Sequence, residues 1–315
     1  MNKFCIVGLG EHARKKIIPA IRNLKNVQIA VVTSSLDFRE NDVLKFDTID
    51  QAISKLDKDY IFYISTPPST HYELAKKLLL NDFNCLIEKP IFLFAEEFES
   101  IKNIAKTRSK YFFECFMHRY GNIYSEFIEI YQKEIDNIKS LDIKFCIPKI
   151  PSNTFRSINN ISSSLIYDIG CYPISLINDI SENNEIKIVS IENYGNYSKE
   201  KFKIIGKINQ INLNINFGID DNYENFVKIN LKNKFCIKFE YFFYGRKAEK
   251  KIITNNDNMS KIRIINDGNL FEEMLKKVKT DIHKNQKLNN VNIKRNILNL
   301  ELLISQYTNF NNHAP

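Results

Sequence analysis

Short apolar runs alternate with helical stretches through the first third of the chain. Lys3 to Val7 reads as a strand, and from Glu11 the apolar positions Ile17, Ile18, Ile21 and Leu24 fall on one helical face. Val27 to Thr33 gives a second strand, Asp47 to Leu56 a short helix, and Tyr60 to Ile64 a third strand stopped by Ser65-Thr-Pro-Pro68. Thr70, with Glu73 three residues on, predicts a capping box for a helix that runs to about Asn81. Phe83 to Glu88 is a fourth strand, Ala95 to Thr107 a helix and Tyr111 to Phe116 a fifth strand. Strands that are apolar throughout and alternate with helices predict an α/β fold with a doubly wound parallel sheet, covered on both faces.

The pattern changes near residue 119. A helix at about Asn122 to Asp136 leads into Leu141, Ile143, Phe145 and Ile147, which alternate with mostly polar residues. Ile211-Asn-Leu213-Asn-Ile215-Asn-Phe217-Gly-Ile219 has the clearest period of two in the chain. Val227, Ile229 and Leu231, then Phe235, Ile237, Phe239 and Tyr241, continue it around a turn at Asn233-Lys234. Such alternation predicts a half-exposed antiparallel sheet with one face on a core. Its asparagine face meets solvent or the same face of a second subunit. Helical patterns at about Leu270 to Ile282 and Asn292 to Tyr307 close the chain. The expected domains are 1–118 and 119–315, the second including the helices at about 270–307.

Composition narrows the class. With 315 residues and 43% hydrophobic content, the chain can bury a large core without covalent staples. The six cysteines are scattered, with no Cys-x-x-Cys pair, and several sit in apolar runs. They read as reduced, buried thiols of a cytoplasmic protein. The N-terminus turns too soon for a signal peptide, and no apolar run nears the roughly 20 residues of a membrane span. The net charge of +8 is spread along the chain among Asp and Glu. Runs such as Arg14-Lys-Lys16 are short and read as solvated faces, so no nucleic acid is expected as a partner. A mild positive field suits the phosphates of a cofactor or of a nucleotide-bearing substrate. No metal-ligand spacing and no hydrolase elbow is present.

The first strand runs into Gly8-x-Gly10-x-x-Ala13, and a helix follows. Glycine lets the backbone approach a pyrophosphate, and the helix start turns free N–H groups toward it. This predicts a dinucleotide site. A site reading the ribose of NAD usually has an acid at the end of the second strand. Here that strand ends Val32-Thr33-Ser34-Ser35, with Asp37 later in the loop. Small hydroxyls leave a 2′-phosphate unrepelled, and Arg39 or Arg14 offers a counter-charge. NADP(H) is therefore expected over NAD(H).

These motifs come in a specific order: Gly8-x-Gly10-x-His12-Ala13, Ser65-Thr66-Pro67-Pro-Ser-Thr-His71, Glu88-Lys89-Pro90 and Asp168-x-Gly170-x-Tyr172. The order resembles the glucose–fructose oxidoreductase/inositol dehydrogenase (Gfo/Idh/MocA) family over essentially the full chain. The resemblance implies a Rossmann domain followed by an α/β domain with a large, open-faced, mostly antiparallel sheet, and a homodimer or homotetramer formed through that sheet. It implies that Lys89 stands beside the nicotinamide and the reacting oxygen, with the Lys89–Pro90 bond cis. His12, His71, Thr66, Pro67 and Glu88 then belong to cofactor-side turns, together with Ser34 and Ser35. Many relatives carry His where this chain has Tyr172, and the Tyr form resembles members acting on sugars, including sugar-nucleotide ketoreductases. A phenol is a poor acid near its ordinary pKa of about 10, and a nearby ammonium lowers it. Tyr172 and Lys89 then handle a proton, with Asp168 holding a substrate hydroxyl or orienting Lys89. Arg119, Tyr120 and Arg156 are candidate substrate contacts, each at least as open to a salt bridge at the domain interface. Ser162-Ser-Ser164 departs from the glycine-rich stretch common in relatives at that point. The expected function is NAD(P)-dependent reduction of a keto sugar, possibly nucleotide-linked. A NAD-dependent sugar or inositol dehydrogenase and a catalytically silent dinucleotide sensor remain as alternatives.

Overall fold

The computed structural model describes residues 2–35, 38, 40–149, 164–181, 186–194, 200–220, 222–244, 248–256, 259–284 and 290–311. Two compact units result, Met1–Met117 with Asn269–Ile297 and His118–Gly268 with Leu298–Pro315. Arg156, Ser162, Ser163, Asp37 and Arg39 lie outside the described residues. Among the described residues no helix is long and apolar enough to cross a membrane.

The first unit is built on six parallel strands: β1 (Asn2–Val7), β2 (Val27–Val32), β3 (Val43–Phe46), β4 (Ile61–Ile64), β5 (Asn84–Glu88) and β6 (Phe112–Cys115). Their order is β3-β2-β1-β4-β5-β6, the Rossmann order. The sequence pattern anticipates five of these strands and misses β3. That strand has four residues, lies on the sheet edge and exposes Leu44, so no apolar run marks it. Helices α1 (Ile18–Arg22), α2 (Ile49–Lys55), α3 (His71–Leu80) and α4 (Ala95–Arg108) connect the strands. Cys5, Ala30, Phe62, Ile64, Cys85 and Ile87 are fully buried against Leu78, Leu79, Phe98 and Ile101. Each large apolar side chain removed from water in this way stabilises the fold by roughly 2 kcal/mol.

Two local expectations change. Thr70 does not cap α3. Its backbone is already helical, because a 3₁₀ turn spans Pro68–Thr70, and its hydroxyl donates to Pro67 O at 2.8 Å. The helix after β1 opens with a π turn, Ala13–Ile17, before α1. Pro19 has no N–H to donate, and the wider turn ahead of it absorbs the lost bond.

The second unit holds α5 (Asn122–Glu134), α6 (Cys171–Ser181) and eight strands: β7 (Ile138–Ile147), β8 (Ile186–Tyr194), β9 (Lys201–Ile208), β10 (Ile211–Ile219), β11 (Glu224–Leu231), β12 (Cys236–Glu240), β13 (Glu249–Asn255) and β14 (Ser260–Asn266). Their order is β14-β13-β12-β11-β7-β10-β9-β8. The sheet is antiparallel except that β10 pairs parallel with β7. The alternation read from the sequence is the alternation of faces. Leu141, Ile143, Phe145, Leu213, Ile215, Phe217, Val227 and Ile229 are buried, while the opposite face carries Asn212, Asn214 and Asn216. On that polar face Asn230 Nδ2 donates to Asp142 Oδ2 at 2.8 Å and to Ser140 Oγ at 3.0 Å. Helices α7 (Leu270–His283) and α8 (Asn290–Asn311) close the chain, α7 in the first unit and α8 contributing to both.

A buried polar anchor shapes the loop after β12. Lys250 is 1% exposed, donates to Tyr241 O and lies 3.9 Å from Asp267. Burial pulls its pKa down to about 8. Asn225 Oδ1 accepts from Phe243 N at 3.0 Å. Between these anchors Phe242 and Phe243 are fully buried.

Candidate cofactor and catalytic site

The strand order reverses direction between β1 and β4, so a crevice opens at their carboxyl ends. Gly8 follows β1 there with φ +89°, a conformation that favours glycine. A Cβ on Gly8 would lie 2.6 Å from Thr66 Cγ2 and 3.0 Å from Ser65 O. The chain after β1 therefore passes against the chain after β4 with no room for a side chain. At Gly10 a Cβ would meet nothing within 4 Å, so the loop faces open space at its exposed tip. A bare backbone before an open space fits a dinucleotide's pyrophosphate. His12 is exposed and Ala13 buried beneath it.

These two glycines give separable expectations. Gly8→Ala is expected to lower stability by about 1–3 kcal/mol and to weaken dinucleotide binding by at least about tenfold, because strain and clash move the loop. Gly10→Ala is expected to leave the melting temperature unchanged and to weaken binding alone. Thermal denaturation and calorimetric titration with NADPH check both. Wild-type affinity in both variants would remove this loop from the site.

At the end of β2, Ser34 is exposed and Ser35 half-buried. Arg14 Nη2 donates to Ser35 Oγ at 3.4 Å, and its guanidinium lies 5.5 Å from the Phe38 ring. Lys45, which the sequence reading did not single out, donates to Ser35 O at 2.9 Å from β3. Its place beside Ser35 follows from the unread strand, so no sequence signal pointed to it.

The turn after β5 carries Glu88, Lys89 and Pro90, and the Lys89–Pro90 bond is cis. Glu88 Oε1 accepts from the Tyr63 hydroxyl and from His12 Nε2 at 2.8 Å, while Oε2 accepts from Lys89 N at 3.3 Å. The charges of His12 and Lys89 and the bonds from His12 and Tyr63 outweigh burial and bring Glu88 down to about 2. Glu88 is thus an anion at any working pH, placed by three donors from three parts of the first unit. His12 also packs edge-on against Phe271 of α7, with ring centroids 5.4 Å apart. Across the same turn, Glu114 Oε1 accepts from Ile91 N at 3.1 Å. Fully buried His71 sets Nε2 at 2.9 Å from Thr66 O and Nδ1 at 3.1 Å from Pro90 O and 3.2 Å from Ile91 O.

In the second unit, Ile166–Gly170 is a π turn that runs into α6. Asp168 is half-buried and donates its N–H to Ser164 O at 2.9 Å. The spacing Asp-x-Gly has a packing reason, since a Cβ at Gly170 would lie 2.9 Å from the Phe217 ring of β10. Tyr172 opens α6 and is 7% exposed. Its ring centroid lies 5.2 Å from that of Phe145, 5.5 Å from His118 and 5.9 Å from Phe243. Burial, then the charges of Arg119 and Lys250, hold His118 well below its ordinary pKa, so it is a neutral ring. Arg119 grips Asp179 with Nε at 2.8 Å and Nη2 at 3.0 Å, and the Tyr124 hydroxyl donates to the same carboxylate at 2.7 Å. Tyr120 is half-buried in the 3₁₀ turn Met117–Tyr120 beside it.

Residues 2–116 match an oxidoreductase family with an NAD-binding Rossmann fold, Gfo/Idh/MocA. Among curated proteins the chain is similar to a dTDP-3,4-didehydro-2,6-dideoxy-alpha-D-glucose 3-reductase of Saccharopolyspora spinosa, 22% identical over 178 residues, 53% of this chain and 52% of that protein. A reductase of the same name from Streptomyces antibioticus is 22% identical over 178 residues, 55% of this chain and 54% of that protein. The chain spans about half the length of the curated relatives it matches. Among solved structures, KijD10, a 3-ketoreductase from Actinomadura kijaniata in complex with NADP and TDP-benzene, superposes with a TM-score of 0.85 over 94% of each chain at 14% identity. An aldose-aldose oxidoreductase from Caulobacter crescentus gives 0.81 over 96% of each chain, also at 14% identity. At such identities the likeness is one of fold. The Gfo/Idh/MocA match thus covers residues 2–116, the part of the chain that holds the six parallel strands.

Proposed function

We propose that the protein reduces a keto sugar, nucleotide-linked as in the similar 3-reductases, with NADP(H). The observation that carries the reading is the Glu88-Lys89-Pro90 turn at the carboxyl end of β5, next along the sheet from the Gly8–Thr66 crossing. Bound NADP(H) supplies the hydride at C4 of the nicotinamide. Gly8, Gly10, His12, Ala13, Thr66 and Pro67 would hold its pyrophosphate and nicotinamide ribose, and Ser34, Ser35, Arg14 and Lys45 its 2′-phosphate. His71 and Glu88 would brace the turns on either side. Tyr172 is assigned to give its phenolic proton to the carbonyl oxygen, and Lys89 to stabilise the negative charge that develops on that oxygen. Asp168 holds a neighbouring substrate hydroxyl. In the oxidising direction the same groups act in reverse. Structures of KijD10 include forms with one tyrosine replaced by phenylalanine and one lysine by alanine or glutamate, the two residue types given the proton here. Arg156 and Tyr120 are proposed to touch the substrate. Arg119 is assigned to hold Asp179 and to shape the site from behind. We place the protein in the cytoplasm, as a homodimer or homotetramer formed through the polar sheet face.

Fluorescence titration checks the cofactor. NADPH is expected to bind at least about tenfold more tightly than NADH, equivalent to about 1.4 kcal/mol for the 2′-phosphate. Arg14→Ala with Lys45→Ala is expected to remove that gap while leaving NADH unchanged. Tighter NADH binding in the wild type would assign the protein to NAD.

A further inference from the structure

Lys89 can act only if the turn after β5 aims it consistently, since a displacement of about 1 Å at a reacting group costs on the order of 100-fold in rate. The main chain of that turn is fastened from three sides: Glu88 Oε2 takes the Lys89 N–H, Glu114 takes the Ile91 N–H, and His71 meets the Pro90 and Ile91 carbonyls. The first two fastenings come from the same and the neighbouring strand. His71 is different, because its other nitrogen meets Thr66 O in the turn after β4. One fully buried ring therefore joins the turn that carries Thr66 and Pro67 to the turn that carries Lys89.

The two ends of this clamp are unequal. The Thr66 turn has fastenings of its own. Thr70 N and Thr70 Oγ1 both donate to Pro67 O, at 2.9 Å and 2.8 Å, and Thr66 Oγ1 lies 2.6 Å from Thr70 Oγ1. The carbonyls of Pro90 and Ile91 share the single Nδ1 of His71. A neutral imidazole has one N–H to give and an imidazolium two. Burial outweighs the carbonyls of Thr66, Pro90 and Ile91 and holds this ring below its ordinary pKa, so one N–H serves the clamp and the other nitrogen is held by packing.

We propose that His71 is a positioning residue for Lys89: its imidazole ties the Pro90–Ile91 main chain to the Thr66 turn and so sets the direction in which Lys89 leaves the sheet. The assignment rests on the role proposed for Lys89. Losing the ring releases the Pro90 and Ile91 carbonyls of the Lys89 turn, leaves its N–H groups on Glu88 and Glu114, and leaves the Thr66 turn held by Thr70.

Two readouts test it. The first needs no substrate. Lysines are reductively methylated with carbon-13, and the Lys89 signal is assigned by its loss in Lys89→Arg. In folded His71→Leu the Lys89 signal is expected to move to the position of a solvent-exposed lysine, with NADPH affinity within about threefold of wild type. His71→Asn places an amide N–H near Nδ1 and is expected to restore the signal in part. His71→Gln reaches toward Nε2 and restores less. The second readout is a cycle of NADPH oxidation with a dTDP-linked 3-keto-6-deoxy sugar. His71→Leu is expected to lower kcat about 30-fold when Lys89 is present and less than about threefold in Lys89→Ala, because partners that act through one group are not additive. An unmoved Lys89 signal in His71→Leu, or an equal loss in both backgrounds, would overturn the proposal. Should His71→Leu not fold, the Asn and Gln variants carry the comparison, and equal signals in those two and the wild type would overturn it. Wild-type turnover in Lys89→Ala would instead refute the role of Lys89, and the methyl signal would still report whether His71 holds the turn.

Discussion

Tyr172→Phe is expected to lower kcat by about 100- to 1,000-fold and to leave NADPH binding within about twofold, since general acid catalysis contributes roughly that much. The change removes one oxygen. The ring contacts with Phe145, His118 and Phe243 are made by the ring face and edges, and phenylalanine keeps them. The melting temperature should therefore stay within a few degrees, which separates lost chemistry from lost structure. Steady-state kinetics with NADPH and a keto sugar, alongside thermal denaturation, check it. Near-wild-type turnover would assign Tyr172 to the aromatic core of the second unit and move the proton to another group.

Lys89→Ala is expected to cost about 1,000-fold in kcat/KM, because in the proposed role the ammonium stabilises the charge that develops on the substrate oxygen. The turn should survive the truncation. Its backbone is held by Glu88, Glu114 and His71, none of which bonds through atoms beyond Cβ of Lys89 in doing so. With Glu88 an anion down to about pH 2, removal of the lysine also leaves a carboxylate without that neighbouring charge, still bonded to His12 and Tyr63. Lys89→Arg should recover little, since a planar fork does not replace a compact ammonium. Retained turnover in Lys89→Ala, measured with the same keto sugar, would exclude it from the reaction.

Most of the fold was legible because burial writes itself as pattern. The strands β1, β2, β4, β5 and β6 are apolar on both faces, and β10 alternates from Ile211 to Phe217 before Gly218 breaks the pattern. The unread strands have particular reasons. In β8 a register shift between Ile188 and Ser190 interrupts the alternation and leaves Val189 exposed. β14 is an edge strand whose Ile262 and Ile264 are exposed, so its apolar residues mark no core. β9 does alternate, with Phe202, Ile204, Gly206 and Ile208 buried, but a glycine stands at one inward position.

The site divides in the same way. Gly8 and the turn after β5 were legible as motifs, because a backbone crossing and a strand end leave local residue signatures. The partners of those motifs were not. Tyr63, His12 and Glu88 come from three separated segments, Lys45 meets Ser35 only through β3, and Phe243 reaches Tyr172 from a loop with no motif. Contacts of this kind depend on strand order, which a single sequence states only indirectly.

The proposed function requires hydride to pass from NADPH to a sugar carbonyl. The most direct measurement is the nicotinamide absorbance of NADPH mixed with the protein and a dTDP-linked 3-keto-6-deoxy sugar. A decay that requires both protein and sugar, slows by orders of magnitude in Lys89→Ala and Tyr172→Phe, and yields the sugar alcohol by mass spectrometry is the predicted result. NADPH that binds but is not oxidised by this or any other keto sugar, with no reduction of NADP by the corresponding alcohols, would contradict it and leave a dinucleotide-binding protein without turnover.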